Sequence, residues 1–172
     1  MKKIILFFLA IFPVFSCNGQ DNLNNPFVFI GQKKITLRYS TKNDVEKLLG
    51  YPEKIDFFPA GGEGFDWKNF TVCSYGGDKL RFHYGQDGKV IRISANAEYF
   101  GEVRFLEKDI KLLTKKDILN LIKNLGEDDY YSEDNFIMYD YKLTPEVQID
   151  YGFWFDNTGK IRWIDIYYPS SW

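Results

Sequence analysis

The chain has 172 residues, with 22 Lys and Arg against 24 Asp and Glu, and a formal net charge of −2. The chain is mildly acidic and contains no basic block. This argues against nucleic-acid binding, because nucleic-acid-binding proteins carry a basic patch or stripe. The length is sufficient for the core of a single domain.

The N-terminus predicts export. Lys2 and Lys3 precede an uncharged apolar run, Ile4–Phe15. A basic start followed by about 7–15 apolar residues is typical of a signal peptide. The run is too short to cross a bilayer, which takes about 20 apolar residues. We therefore predict that residues 1–16 form a cleaved signal peptide.

The end of this segment, Val14-Phe15-Ser16-Cys17, resembles the lipobox of bacterial lipoproteins. The resemblance implies that Cys17 becomes the lipidated first residue of the mature chain. Several acyl chains on this residue would anchor the protein stably, whereas a single chain gives only marginal membrane binding. It implies a place in the bacterial cell envelope, on the periplasmic side of the outer membrane. The alternative is an ordinary secretory signal whose Cys17 pairs with Cys73 in the oxidising envelope.

Residues 17–26 predict a flexible tether. Five Asn or Gln residues stand in 18–26 beside very few apolar ones, and such a composition cannot bury enough surface to fold. If Cys17 is lipidated, Cys73 has no disulfide partner and is expected to be a small, half-buried strand residue.

Two similar segments predict two helices. Thr41 and Thr114, 73 residues apart, each stand three residues before an Asp and begin a one-sided apolar stripe. Thr followed by an acid at this spacing is close to a capping box. Gly50 and Gly126 are expected to end the two helices.

The strands that follow are also similar. Leu80–Ile93 and Tyr151–Ile164, 71 residues apart, each alternate in polarity on both sides of a turn closed by Gly-Lys. This pattern predicts β-hairpins. A further strand is predicted before each hairpin, at Phe70–Tyr75 and Phe136–Lys142. The near-constant offset favours a duplication into residues 27–100 and 101–172.

A capped helix ending in Leu-Gly, followed by antiparallel strands with a Gly-Lys-Val/Ile turn, resembles the β-lactamase-inhibitor-protein fold. It is also similar to the small outer-membrane lipoproteins of the barrel-assembly accessory type. The resemblance covers roughly residues 35–168. It implies an α+β fold in which two tandem helix-plus-antiparallel-hairpin units form one curved antiparallel sheet, with helices on one face and a protein partner on the other.

Strand alternation predicts which side chains lie on the uncovered face. Ile91 and Arg162 are expected on the helix-covered side, with Val90 and Ile161 on the opposite side. The uncovered face is expected to bind a partner, because Trp, Tyr and Arg are enriched at binding hot spots. The predicted partner-binding residues are Arg81, His83, Arg92, Trp154, Trp163 and Tyr167.

The sequence therefore predicts a non-enzymatic, envelope-anchored protein binder, either an inhibitor or immunity-type factor or an assembly accessory, whose partner is an envelope or secreted protein. The alternative function is a small-ligand or glycan binder that stacks its ligand on Trp154 and Trp163. A separate alternative is plain packing, in which the segment Phe57–Trp67 covers Trp163. A single histidine, His83, and one spare Cys do not make a zinc site or a triad. No metal, cofactor or catalytic residue is predicted.

Overall fold

The computed structural model describes residues 26–30, 33–58, 69–99, 101–105, 108–125, 130–144 and 147–168. The predicted signal peptide, the lipobox Cys17 and most of the predicted tether lie outside the described residues. The same holds for residues 59–68 and for Gly126, the predicted stop of the second helix.

The described residues contain short strands, two α-helices and one 3₁₀ turn. The strands are Phe27–Ile30 (β1), Lys33–Thr36 (β2), Lys54–Phe58 (β3), Phe70–Tyr75 (β4), Leu80–Tyr84 (β5), Val90–Asn96 (β6), Arg104–Phe105 (β7), Lys108–Asp109 (β8), Tyr130–Glu133 (β9), Phe136–Thr144 (β10), Val147–Phe155 (β11) and Ile161–Tyr167 (β12). The helices are Lys42–Leu49 (α1) and Lys115–Asn124 (α2), and the 3₁₀ turn is Ile110–Leu112. The predicted strands before each hairpin are confirmed as β4 and β10.

Eight strands form one antiparallel sheet in the order β3-β4-β5-β6-β12-β11-β10-β9. Its two central strands, β6 and β12, are antiparallel, with Ser94 opposite Asp165 and Arg92 opposite Tyr167. The pairs β1-β2 and β7-β8 form two separate two-stranded sheets. The order of the strands reverses across the β6–β12 pair, so β3 and β9 lie at the two edges.

The predicted α+β fold of two tandem helix-plus-antiparallel-hairpin units is wrong. The structure is mostly β, with 55% of it in strands, and the described residues hold only two α-helices. The strands belong to one eight-stranded antiparallel sheet rather than to two units. The physical reason is that β3 and β9 add edge strands that were not predicted, whereas α1 and α2 have only 8 and 10 residues, so strands make up most of the structure. The division at residues 27–100 and 101–172 stays a prediction.

Both helix starts are confirmed. The Thr41 hydroxyl accepts from the Asp44 amide at 3.3 Å and the Asp44 carboxylate accepts from the Thr41 amide at 2.9 Å. The Thr114 and Asp117 pair repeats both distances. Hydrogen bonds from the threonines hold the pKa of Asp44 and the pKa of Asp117 below the usual value. These boxes satisfy amides that the first turn of a helix leaves without partners.

The core lies on one side of the sheet. Val45 of α1 and Ile118 and Ile122 of α2 belong to one buried cluster with the inward side chains of the sheet, and β1, β2, β7 and the 3₁₀ turn add to it. Cys73, predicted to be half-buried, is a free thiol that is fully buried in this cluster. Burial raises the pKa of the Cys73 thiol, so it suits a small core residue rather than a nucleophile.

We expect Thr114→Ala to lower the free energy of unfolding by about 1 kcal/mol, because the Asp117 amide loses its acceptor at the start of α2. Thr114→Ser keeps the acceptor and is the control. Urea unfolding followed by circular dichroism measures both. Equal stability of the Ala and Ser variants would contradict the capping argument.

Candidate partner-binding face

We call the side of the eight-stranded sheet away from α1 and α2 the open face. The cross-strand pairs His83–Arg92, Arg92–Tyr167 and Trp154–Trp163 are directly opposite one another. Since directly opposite residues share a face, and Arg81 lies two residues before His83, one face holds all the predicted residues. The structure brings together Arg81, His83, Arg92, Trp154, Trp163 and Tyr167, and all of these side chains are half-buried.

The prediction for the residues next to the Gly-Lys turns is wrong. Each hairpin has a register shift, between His83 and Tyr84 in one and between Trp154 and Phe155 in the other. A β-bulge adds one residue to a strand and changes which face the following side chains occupy. Ile91 therefore packs with residues of the open face, and Arg162 is exposed, whereas Val90 and Ile161 are buried in the main core.

A charged cluster lies at the centre of the open face. The Arg92 guanidinium contacts both carboxylate oxygens of Asp165, with Nε donating to Oδ1 at 2.8 Å, and the Ser94 hydroxyl donates to the same Oδ1 at 2.9 Å. The Arg92 Cζ atom lies 5.7 Å from the centroid of the Tyr167 ring. This bidentate pair joins β6 to β12 and fixes the direction of the guanidinium.

Asp165 and Ser94 were not among the predicted site residues. The Asp165 side chain is 13% exposed and that of Arg92 is 36% exposed. Burial opposes the charged form of Arg92, but the hydrogen bond and the charge of Asp165 outweigh it and raise the pKa of Arg92. Asp165 alternates with Trp163 and Tyr167 on β12, which is the signal that could have identified it.

Three aromatic rings form a row on the β3–β5 side of the open face. The Phe58 and Phe70 ring centroids are 4.9 Å apart with an interplanar angle of 12°, and the Phe70 and His83 centroids are 5.7 Å apart at 18°. Rings stacked in this way use their faces on one another. The row therefore offers mainly ring edges, which carry partial positive charge.

A groove of about 380 Å³ contains this row. Two ion pairs lie beside it, Lys54 with Asp56 at 2.6 Å and Arg81 with Asp78 at 3.6 Å. Arg81 Nε is buried and has no hydrogen-bond partner within the described ranges. The lining residues are Lys54, Asp56, Phe58, Phe70, Val72, Ser74, Asp78, Arg81 and His83.

His83 is a neutral member of this groove. Burial, together with the nearby charges of Arg92 and Arg81, lowers the pKa of His83 to about 3. At neutral pH the ring is uncharged and is a very weak base, which makes it a poor general base. Among the residues that the structure describes, no group of three or more His, Cys, Asp or Glu could hold a metal ion.

The β9–β12 side of the open face has its own aromatic set. The Trp154 and Phe136 centroids are 4.6 Å apart, and those of Phe136 and Tyr131 are 6.4 Å apart. The Trp154 indole lies against Gly152, where a Cβ atom would be 2.8 Å from the ring. Glycine at 152 therefore lets the indole lie close to the sheet.

Asp140 and Asp150 lie directly opposite each other on the same side of the sheet. The Gln148 side-chain amide donates to Asp150 at 2.8 Å. Burial, with a contribution from Asp140, raises the pKa of Asp150 to about 6. This pair gives the open face an acidic region beyond Tyr167.

The possibility that the segment Phe57–Trp67 covers Trp163 falls largely outside the described residues. Phe57 itself lies on β3 opposite Thr71, and its side chain is 63% exposed. In the described part of the chain, the helices and the small sheets contribute their buried side chains to the cluster on the other side of the sheet.

Comparison with known proteins gives no match to a protein-family model, to a curated protein or to a solved structure. No helix within the described ranges is both long enough and apolar enough to span a bilayer.

Because the pKa of His83 is about 3 in the folded chain and 6.5 for an unperturbed His, the unfolded chain binds more protons between these values. The stability contributed by neutral His83 is therefore complete above pH 6.5 and is lost as pH falls, by up to about 1.4 kcal/mol per pH unit. Urea unfolding of the wild type and of His83→Gln at pH 7, 6, 5 and 4 measures this effect.

The raised pKa of Asp150 gives the opposite trend in both proteins, since its contribution is lost as pH rises through about 6. The difference between wild type and His83→Gln cancels that trend. A difference that stays constant from pH 7 to pH 4 would rule out a buried neutral His83.

We expect Asp165→Asn to lower the free energy of unfolding by about 1–2 kcal/mol, because Arg92 loses its counter-charge at a half-buried place. Asp56→Asn, which breaks an ion pair whose side chains are more exposed, 59% for Lys54 and 35% for Asp56, is the matched control and is expected to cost less than about 1 kcal/mol. Urea unfolding midpoints test both variants. A smaller loss for Asp165→Asn than for Asp56→Asn would contradict a central role of the Arg92–Asp165 pair.

Proposed function

We propose that this protein is a non-enzymatic lipoprotein of the bacterial cell envelope that binds a protein partner through the open face. The single observation that supports this most is the clustering of Arg81, His83, Arg92, Trp154, Trp163 and Tyr167 on one face of the sheet. The partner is an envelope or secreted protein, and the role is that of an inhibitor or immunity-type factor or of an assembly accessory. The anchor is Cys17, on the periplasmic side of the outer membrane.

The size of the open face supports a protein partner. Eight strands with spacings of about 4.8 Å make a surface roughly 34 Å wide. A surface of this width suits a standard protein interface of about 800 Å² per partner rather than one small ligand. Half-buried aromatic and Arg side chains spread across its middle strands, the arrangement expected of anchor residues surrounded by weaker contacts.

The stacking of the rings favours a protein over a saccharide. A saccharide needs a free aromatic face. Phe58, Phe70 and His83 turn their faces toward one another, and the Trp154 ring lies against Gly152 and has the Phe136 ring 4.6 Å away. Ring edges and the guanidinium of Arg81, whose side chain is 43% exposed, instead suit carbonyl or carboxylate oxygens. Oxygens of this kind are available along any polypeptide segment.

The depressed pKa of His83 supports the non-enzymatic proposal. A general acid or base works best with a pKa near the working pH, and His83 is the only histidine in the chain. The open face therefore offers contact area and hydrogen-bond donors, and we assign it no reaction.

To test the proposal, the wild-type chain is crosslinked in intact cells and the captured proteins are identified. We expect Trp163→Ala to reduce capture of a stoichiometric partner at least about tenfold, because truncating an anchor residue costs about 2 kcal/mol or more. Leu112→Ala, an exposed apolar residue near the covered side of the sheet, is the matched control. Equal capture by both variants, or a tryptophan fluorescence change with soluble saccharides and no partner, would contradict the proposal.

The anchor is tested separately. Cys17→Ser is expected to move the chain from the membrane fraction to the soluble fraction, because the acyl chains have no other attachment point. Cys73→Ser replaces a buried core thiol and is expected to leave the chain in the membrane fraction. Cell fractionation, immunoblotting and incorporation of labelled fatty acid measure both, and labelled fatty acid on Cys17→Ser would disprove lipidation at this residue.

A further inference from the structure

β3 is an edge strand with exposed apolar side chains. Within the described residues it pairs with β4 alone. Ile55 is 53% exposed, Phe57 63% and Phe58 45%. An edge strand presents backbone N–H and C=O groups that can pair with another strand, and exposed apolar residues on it increase that tendency.

The start of β3 is held in place. The Glu53 carboxylate accepts hydrogen bonds from the Gly76 amide at 3.0 Å and from the Gly77 amide at 2.8 Å, and the Glu53 amide donates to the Ser74 carbonyl at 3.0 Å. Gly76 and Gly77 have positive φ values of 61° and 64°, in the left-handed region that favours glycine. The edge is therefore presented by a fixed strand.

The charges on β3 select one kind of partner strand. Lys54 and Asp56 lie on the same face, two residues apart, and form an ion pair at 2.6 Å. Opposite charges on an edge oppose pairing with strands that carry like charges at the facing positions. A strand with Asp opposite Lys54 and Lys opposite Asp56 is complementary, and an antiparallel copy of β3 has that pattern.

We propose that two copies of this chain pair antiparallel through β3, with Ile55 on the two-fold axis. In this register Lys54 of each copy lies opposite Asp56 of the other. Ile55 of one copy lies opposite Ile55 of the other. Phe57 lies diagonally across from Ile55 of the other copy on the same face, at a distance that its aromatic ring can span. The interface is isologous and closes at two copies, and it joins the two eight-stranded sheets edge to edge.

The neighbouring registers are less favourable. With Asp56 on the axis, two carboxylates would face each other, which is destabilising. With Phe57 on the axis, Asp56 would lie opposite Phe58, and the interface would have no ion pair between Asp56 and Lys54 of the two copies. The charge pattern therefore favours Ile55, and the proposal does not depend on the identity of the protein partner bound by the open face.

The first experiment is position-specific disulfide crosslinking of the full-length chain in intact cells under mild oxidation. Residues opposite each other on paired strands have Cα atoms about 4.5–5.5 Å apart, within disulfide range. Two copies of residue 57 would lie four residues apart along the strands, about 13 Å, which is beyond it. We expect Ile55→Cys to give a dimer band on a non-reducing gel, whereas Phe57→Cys and the wild type do not.

The second experiment exchanges the charges. Lys54→Asp places like charges opposite each other and is expected to weaken dimerisation at least about tenfold in analytical ultracentrifugation of the full-length chain. Lys54→Asp combined with Asp56→Lys restores opposite charges and is expected to restore the dimer. These side chains lie at an exposed edge, so both variants are expected to fold.

A monomer at all concentrations, an equal dimer band from Phe57→Cys, or an Ile55→Cys band at the mass of a different protein would overturn the proposal. Failure of the charge exchange to restore a dimer that Lys54→Asp has weakened would overturn the register. The partner-capture experiment with Trp163→Ala is independent of these outcomes, because Trp163 lies on β12 rather than on β3.

Discussion

Antiparallel hydrogen bonding between β6 and β12 joins the two sides of the sheet, and the position of every residue on the open face depends on it. The Arg92–Asp165 pair crosses this junction, and Ser94 completes the coordination of the same carboxylate. Without the β6–β12 pairing, Arg81 and His83 would have no fixed position relative to Trp154 and Trp163. An interaction between two strands that lie more than 60 residues apart in sequence thus determines whether the candidate site exists.

Local features of the chain were predictable because their causes are local. Thr41 and Thr114 indicate helix starts through contacts within one turn, and alternation on either side of a Gly-Lys turn indicates the hairpins β5-β6 and β11-β12. The six predicted residues follow from the same alternation. The bulges at Ile91 and Arg162 could not be predicted in this way, because an extra residue changes the face without changing the composition of the strand.

The fold class was predicted incorrectly for a related reason. The number and order of the strands in a sheet, and whether they divide into repeated units, depend on pairing between distant strands, which no short pattern encodes. β3 was missed because Lys54–Phe58 is short and lies next to a Gly-rich segment, so Phe58 and its stack on Phe70 were not expected. Strand alternation places Asp165 on the same face as Trp163 and Tyr167. Its ion pair with Arg92, however, depends on the register between β6 and β12 and could not be predicted.

The hydrogen bonds from the Gly76 and Gly77 amides to the Glu53 carboxylate couple the mobility of the edge strand β3 to the turn between β4 and β5. A Cβ atom at residue 76 would lie 2.4 Å from the Tyr99 ring, and Gly76 has a φ of 61°, so alanine there would have to displace that ring and would strain the backbone of the turn. Any change of the turn that relieves this strain would move the two amides that donate to the Glu53 carboxylate, and so would loosen the start of β3. Local opening of β3, which is measured as faster amide hydrogen exchange, thus depends on the glycine at position 76 in the turn between β4 and β5.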